Sequence, residues 1–558
     1  MTASPAHTRR PRLPSLLLAL GGLAGLIAFV TLYQRAIPQA AVKLKVTRHQ
    51  ADSIGRAFVT GRAADLAAFR QATLFDGNTE ALVFLQRTLG LDSASAWARS
   101  RVNIWTWNTR WFKPQAKEEW RVAIGVDGTV VRFTHLVEEA AAGASLTQDS
   151  ARTLAERFVR SRGWDLDHFT PVEASSEKRD KRTDHHFTWE QQGSTIKWRG
   201  TDTVAGSGSV RISVDVAGDR IAGYRHFLKV PEGFSRSLQQ TQSVGGVVAI
   251  AALLLTFALV LSALGIAIAR QRKGDVRWGV GLALAVFVSL LALGAGAIMW
   301  PTLEFSYGTE IQWAAYVGLM LVAGVFGAAI YGLWTLFTVA AGESLGRETF
   351  PRSLAGLTDA ARGRLLAPAV AGASARGYAL GFLILGYLTL FYLFARRFLG
   401  AWLPAEGPQS EIFNYYVPFI APLTISLVAA ITEEMTFRLF GISLVKRYLK
   451  STALALLIPA VIWAFAHSSY AVFPIYIRGI ELTIAGLIFG IAFLRLGLLT
   501  CIVAHFVVDA VLIGMPLLSS GNAAYVVSGV VVIGFALIPA VLGLIAAQRG
   551  RGAEPAPA

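Results

Sequence analysis

The sequence is poor in cysteine and in charge. Its one cysteine, Cys501, lies in an apolar run. That excludes an intramolecular disulfide and a cage of thiolates around a metal. Only 16% of the residues are charged while 54% are hydrophobic, and the mean hydropathy is +0.48. A soluble domain could not bury that much apolar surface, so the class is a polytopic membrane protein. Negative charge is the scarcer sign, with 36 Asp and Glu against 52 Lys and Arg and a formal net charge of +16. No clustering of basic with aromatic side chains argues for nucleic acid, and the excess reads as arginine-rich loops flanking a membrane. Also missing are the His-Glu-x-x-His zinc signature and a membrane Ser-Lys or serine-nucleophile pattern.

Apolar runs long enough to span a bilayer are abundant. The first, from about Leu13 to Tyr33, follows Arg9, Arg10 and Arg12 and reads as an anchor rather than a cleaved signal. Further spans are expected at about 243–269, 278–300, 313–340, 377–395, 415–445, 453–473, 480–496, 498–518 and 523–547. With the anchor these make about ten transmembrane helices. Arg270 to Arg277, Arg347 to Arg376, Lys446 to Lys450, Arg495, and Arg549 with Arg551 then share one side with the N-terminus. Arg396 and Arg397 break the pattern. The positive-inside rule makes that side cytoplasmic, in what is expected to be a bacterial inner membrane.

Residues 40–242 are polar and form an extracytoplasmic domain with an internal repeat. Ala57-Phe58-Val59 recurs as Arg157-Phe158-Val159, Trp105-Thr106-Trp107 as Phe187-Thr188-Trp189, and Val126-Asp127-Gly128 as Val216-Ala217-Gly218. Two α+β repeats are expected at about 45–140 and 145–235, with turns at the glycines. They look faintly like PepSY-type modules. The whole chain then divides into a cytoplasmic tail and anchor (1–39), the double module (40–242), additional helices (243–374), a helical core (375–520), and a last helix with its tail (521–558). Asp184-His185-His186 is a weak metal lure that reads better as part of a solvated loop.

The charges inside the core carry the chemistry. Ile431 to Phe440 places Glu433, Glu434 and Arg438 in an apolar run, where each ionisable group costs roughly 2.5–3.5 kcal/mol to insert. Glu434 and Arg438, four apart, share a helix face and can pair. Glu433 is turned away by about 100° and can face a cavity. His467 follows Trp463 by four residues, and His505 precedes Asp509 by four. Helix counting puts these groups at roughly 12–24 Å from the loops, close enough in depth to meet. A structural ion cluster is the plain alternative, and it explains Glu434 with Arg438 better than it explains Glu433.

Glu433-Glu434-x-x-x-Arg438, Trp463-x-x-x-His467 and His505-x-x-x-Asp509, in that order, resemble the three motifs of the CAAX-protease and bacteriocin-processing (CPBP, or Abi) intramembrane endopeptidases, over about residues 375–520. The resemblance implies that Glu433 and His467 activate a water, that His505 with Asp509 stabilises an oxyanion, and that Glu434 and Arg438 support the site. Trp463 stands where Phe is frequent, which touches packing alone. Asp509 stands where Asn is found in well-characterised members. An ionised Asp cannot donate to an oxyanion, so Asp509 acts as a protonated donor, orients His505 or binds metal. Protonation is the favoured option, because burial beside Glu433 resists ionisation. No cofactor is certain. A divalent ion such as zinc, held by Glu433, His467 and His505, is an option.

The expected activity is hydrolysis of peptide bonds in membrane-associated proteins or peptides, with the lipid bilayer as the other partner. A non-catalytic scaffold or receptor using the outer repeats is the alternative, and a transporter comes third.

Overall fold

The computed structural model describes residues 13–37, 43–62, 65–199, 205–403 and 408–552. Arg9, Arg10 and Arg12 and the tail from Pro555 lie outside the described residues. The helices in chain order are α1 Leu13–Ala36, α2 Arg48–Thr60, α3 Thr79–Leu89, α4 Leu91–Ser100, α5 Gln148–Ser161, α6 Glu232–Gln271, α7 Trp278–Ile298, α8 Trp300–Phe305 and α9 Trp313–Thr349. They continue as α10 Ala355–Ala361, α11 Pro368–Phe398, α12 Ile420–Glu433, α13 Ile442–Leu449, α14 Thr452–Phe465, α15 Tyr476–Leu496, α16 Leu498–Ser519, α17 Ala523–Ala536 and α18 Ile538–Gly552.

Among the described residues, nine helical stretches are long and apolar enough to cross a membrane, against about ten expected. The difference is the expected span 453–473. It is instead the 14-residue α14, which contains Pro459 and stops at Phe465. At ~1.5 Å per residue α14 covers roughly 21 Å, short of a hydrocarbon core of about 30 Å. The chain continues as a loop carrying His467 through Pro474, in which Ser468, Val472 and Phe473 are buried against protein while Ser469 and Tyr470 are exposed. Gly245 of α6 lies so close that a Cβ there would meet the Ser468 carbonyl at 2.6 Å. Irregular backbone at membrane depth is tolerated under such cover.

The arginine-rich helix ends come together. Arg270 pairs with Glu348, Arg447 lies 3.5 Å from Glu348, and Arg347 bridges Asp275 and Glu343 at 2.7 Å each. Asp275, in the loop after α6, is pulled down to about 2 by its hydrogen bond from Ser344 and then by Arg347.

At the other ends of α6 and α7 sits one antiparallel sheet. Its strands are β1 Arg70–Gly77, β2 Trp105–Phe112, β3 Glu119–Gly125, β4 Val130–Leu136, β5 Phe169–Lys178, β6 Thr183–Gln191, β7 Ile196–Arg199, β8 Ala205–Ala217 and β9 Arg220–Lys229. The order is β1-β2-β3-β4-β9-β8-β6-β5, with β7 on β8. Gly128 and Gly218, both at positive φ, turn the β3–β4 and β8–β9 hairpins. Inward-facing Trp107, Trp111, Phe133, Phe187 and Trp189 build the core between sheet and helices. Asp184, His185 and His186 lie on β6, not in the expected loop. Both ring nitrogens of His185 are taken, by Ser176 at 2.8 Å and the Leu146 carbonyl at 3.0 Å.

Several contacts fasten the sheet domain to the helical part, among them those of β2 and β1. Arg110 of β2 donates to the carbonyls of Phe305 and Tyr307 at 2.6 and 2.8 Å and pairs with Glu119. At the edge strand β1, the Asn414 amide takes the hydrogen bond of the Phe75 N–H and returns one to the Phe75 carbonyl at 3.0 Å. A side chain thus completes a strand edge that would otherwise expose its backbone groups. Asn414 stands six residues before α12, so the sheet is tied to the segment that enters the helix of Glu433.

Candidate active site

Glu433 ends α12, and the next turn, Glu434–Gly441, is π-helical. Such wide turns are rare and recur at functional sites. Here Thr432 and Thr436 return their hydroxyls to carbonyls four residues back, at 2.7 and 2.6 Å. The Trp334 indole of α9 donates to Thr436 at 2.7 Å and braces the turn from outside.

The expected pair forms. Arg438 Nη1 lies 3.2 Å from Glu434 Oε1, with both side chains almost fully buried. The contact is an ion pair without hydrogen-bond alignment, since both Nη atoms of Arg438 lack a hydrogen-bond partner. The guanidinium is held instead between rings, 4.2 Å from the Trp463 centroid and 5.0 Å from that of Phe489. Cation–π contact suits a cation already stripped of water.

His505 of α16 stands between the two glutamates. Its Nδ1 is 2.8 Å from Glu434 Oε1. Glu434, paired with Arg438, is a carboxylate and can only accept, so Nδ1 carries the proton. The opposite nitrogen, Nε2, faces Asp509 Oδ2 at 3.4 Å and Glu433 Oε2 at 3.8 Å. The Glu434 side chain is 0% exposed and that of His505 7%, whereas those of Glu433 and Asp509 are 23% and 26% exposed. The cluster therefore has a sealed end and an open end.

His467 does not join this cluster directly. Its Nδ1 lies 2.8 Å from the Trp463 carbonyl, which fixes the proton on Nδ1 and leaves the Nε2 lone pair free. Trp463 makes the link, because its indole N–H donates to Glu433 Oε2. The expectation that Trp463 affects packing alone therefore understates it. An indole has a donor that Phe lacks, and that donor lands on the candidate base. Tyr470, on the same loop, was also not singled out from sequence. Its ring lies 5.7 Å from that of His467, and it is within electrostatic reach of both Glu433 and Asp509.

The side chains gather no ready-made ligand set for the optional metal. Among the described residues no group of three or more His, Cys, Asp or Glu side chains is spaced to hold an ion. Of the set Glu433, His467 and His505, the two histidines each commit Nδ1 to a protein acceptor and leave Nε2 as the nitrogen that could ligate, but no hydrogen bond or ion pair joins His467 to the other two.

Residues 416–511 match the family model described as Type II CAAX prenyl endopeptidase Rce1-like. Over 141 residues, 25% of this chain, the sequence is 26% identical to the sporulation-killing factor biosynthesis protein SkfC of Bacillus subtilis (strain 168). That match covers 28% of the relative, so this chain spans less than a third of its length. No solved structure matches. The matched segment contains Glu433, Glu434, Arg438, Trp463, His467, His505 and Asp509. The likeness to the CPBP proteins is thereby borne out, and the chain carries an Rce1-like CAAX-endopeptidase domain at residues 416–511.

Proposed function

We propose that the chain is an intramembrane endopeptidase in which Glu433 activates a water for attack on a peptide bond. The supporting observation is that Glu433, partly exposed, lies 3.8 Å from Nε2 of His505 while Arg438 is paired with the buried Glu434 behind them. A carboxylate there takes a proton from water as the oxygen attacks the carbonyl carbon. In this reading His505 carries a proton on both ring nitrogens, and the N–H on Nε2 turns from the flanking carboxylates to the oxyanion as it forms. Collapse breaks the C–N bond, and the proton held by Glu433 passes to the leaving amine. His467, with Nε2 free, shares the water. Glu434 orients His505 through Nδ1, and Asp509, 3.4 Å from Nε2, is read as orienting that nitrogen in place of the protonated oxyanion donor expected from sequence. No step passes through a metal.

The substrate class is a membrane-associated protein or peptide. The name of the SkfC relative, a killing-factor biosynthesis protein, favours peptide maturation as the setting. Membrane-peptide profiles of cells making wild-type or Glu433→Ala protein test the proposal. Peptides that persist in their longer form in the variant support it, and identical profiles contradict it.

The sheet domain is read as an extracytoplasmic, regulatory or substrate-presenting double module. Each half opens on a helix and contributes antiparallel strands, the first half inserting α3 and α4 between β1 and β2, and the halves join last strand to last strand, β4 to β9. Thr47 and Thr147 cap the two leading helices alike. The cytoplasmic assignment of the arginine-rich ends rests on their charge. Cysteines introduced near Gly128 and Arg362 should label from opposite sides, and equal labelling from outside refutes the topology.

A further inference from the structure

A groove of about 810 Å³ opens where the sheet domain meets the helices, away from the glutamates. Its walls carry Arg87, Arg199 and Arg236, and its apolar surfaces include Trp198, Trp402 and Phe473. Arg236 is matched by Glu232 at 2.6 Å. Arg87 and Arg199 are exposed and have no carboxylate partner among the described residues, and Arg87 lies 5.3 Å over the Trp402 ring. The floor is firm. Trp402 and Phe473 exchange two backbone hydrogen bonds, at 2.7 and 2.8 Å, and their rings stack at 5.4 Å.

The position of the groove identifies its occupant. Helix α6 is unbroken for 40 residues, about 60 Å at ~1.5 Å per residue and so twice the hydrocarbon thickness. Its outward apolar face begins at Val244 and continues through Val247 and Leu254, all more than half exposed. The groove residues of α6 lie between Glu232 and Thr241, one to three turns beyond that face, at headgroup level. Cations with interfacial tryptophans, directly above a lipid-facing stripe, suit a group with a phosphate at one end and acyl chains at the other. A soluble anion would have no use for the stripe.

We propose that this groove binds the headgroup of an anionic phospholipid, the phosphate between Arg87 and Arg199 and the chains along α6. The site stands apart from the catalytic reading and does not depend on it. Phe473 follows His467 by six residues, so a bound lipid rests on the loop that carries the candidate histidine.

Native mass spectrometry of the full-length protein in detergent tests this, with dioleoyl phosphatidylglycerol and dioleoyl phosphatidylcholine supplied in equal amounts. The wild type should retain one phosphatidylglycerol under activation that strips phosphatidylcholine. Arg87→Gln/Arg199→Gln should lower that retention at least about tenfold, since each phosphate contact to a cation is charge-assisted. Lys446→Gln/Arg447→Gln, at the opposite helix ends, should not. Equal retention of the two lipids by the wild type overturns the proposal whether or not the variant folds. Retention by the groove variant equal to wild type also overturns it. Displacement of the lipid by glycerol 3-phosphate or by a soluble acidic peptide would assign the groove to a free anion or a protein partner, and would overturn it as well.

Discussion

Glu481 of α15 and Glu434 at the head of the π-helical turn are both fully buried carboxylates facing an arginine, yet what surrounds them differs. Around Glu481 the charges are matched one to one. Arg478 lies 2.6 Å from Oε2, the Tyr392 hydroxyl donates to the same oxygen at 2.7 Å, and Tyr387 ties down the Glu481 carbonyl at 2.8 Å. Around Glu434 there are three carboxylates for one arginine and one histidine, and two of the three, Glu433 and Asp509, are partly exposed. A buried pair that is matched and closed holds helices in register and does little else. A cluster with surplus carboxylate and an open end maintains groups able to exchange protons. The family match covers both glutamates but not Tyr387 and Tyr392, and the contrast in surroundings is what the proposed chemistry rests on.

The sharpest break in this comparison is Glu433→Gln. Gln keeps the shape and the indole contact but cannot take a proton. Cleavage should fall about 100- to 10,000-fold with abundance unchanged, as measured by product formation against protein in membranes.

Next in size is Glu434→Gln, at the sealed end. It leaves Arg438 buried without its counter-ion and frees His505. The loss of a buried partner costs about 3–5 kcal/mol, so protein abundance and the thermal midpoint should both drop. A variant as stable as wild type would show that the rings around Arg438 suffice to hold it.

Asp509→Asn sharpens the open end. With Asp509 holding Nε2 of His505, the change should lower the cleavage rate about 10–100-fold at every pH, the scale of a lost orienting partner. An equal or raised rate would instead make residue 509 an oxyanion donor that Asn supplies permanently.

The smallest effect lies outside the membrane. His226 of β9 has a buried, unpartnered Nε2, and burial depresses its pKa to about 4. The unfolded chain, at about 6.5, binds the proton first. Stability from this site is therefore complete above about pH 6.5 and declines as pH falls toward 4. Amide protection of β9 should weaken across that window in the wild type and more shallowly in His226→Gln. Parallel slopes would exclude His226 as the cause.

The sequence disclosed the two charge motifs because an ionisable group in an apolar run stands out against its neighbours, and the family match agrees. It disclosed the helix ends less well. Apolar composition extends past Phe465 to Val472 and Phe473, and nothing in hydropathy marks where backbone stops being helical. The bridging position of His505 was hidden for another reason. Four-residue spacing pairs His505 with Asp509 and Glu434 with Arg438, but which pair meets which depends on how α16 crosses the π-helical turn. Trp463 was misjudged because its donor matters only once Glu433 is seen beside it. Asn414 was invisible, since an amide that completes a strand 339 residues away carries no local signal.

The most direct test of the contrast is to measure Glu433→Gln and Glu481→Gln side by side. Both are purified, reconstituted in liposomes, and assayed for thermal midpoint and for cleavage of the peptides that accumulate in the Glu433→Ala cells. The account predicts crossed results. Glu433→Gln should be stable and inactive, while Glu481→Gln should be destabilised and retain cleavage per folded molecule within a few fold of wild type. An active Glu433→Gln protein, or a stable and inactive Glu481→Gln protein, would contradict it.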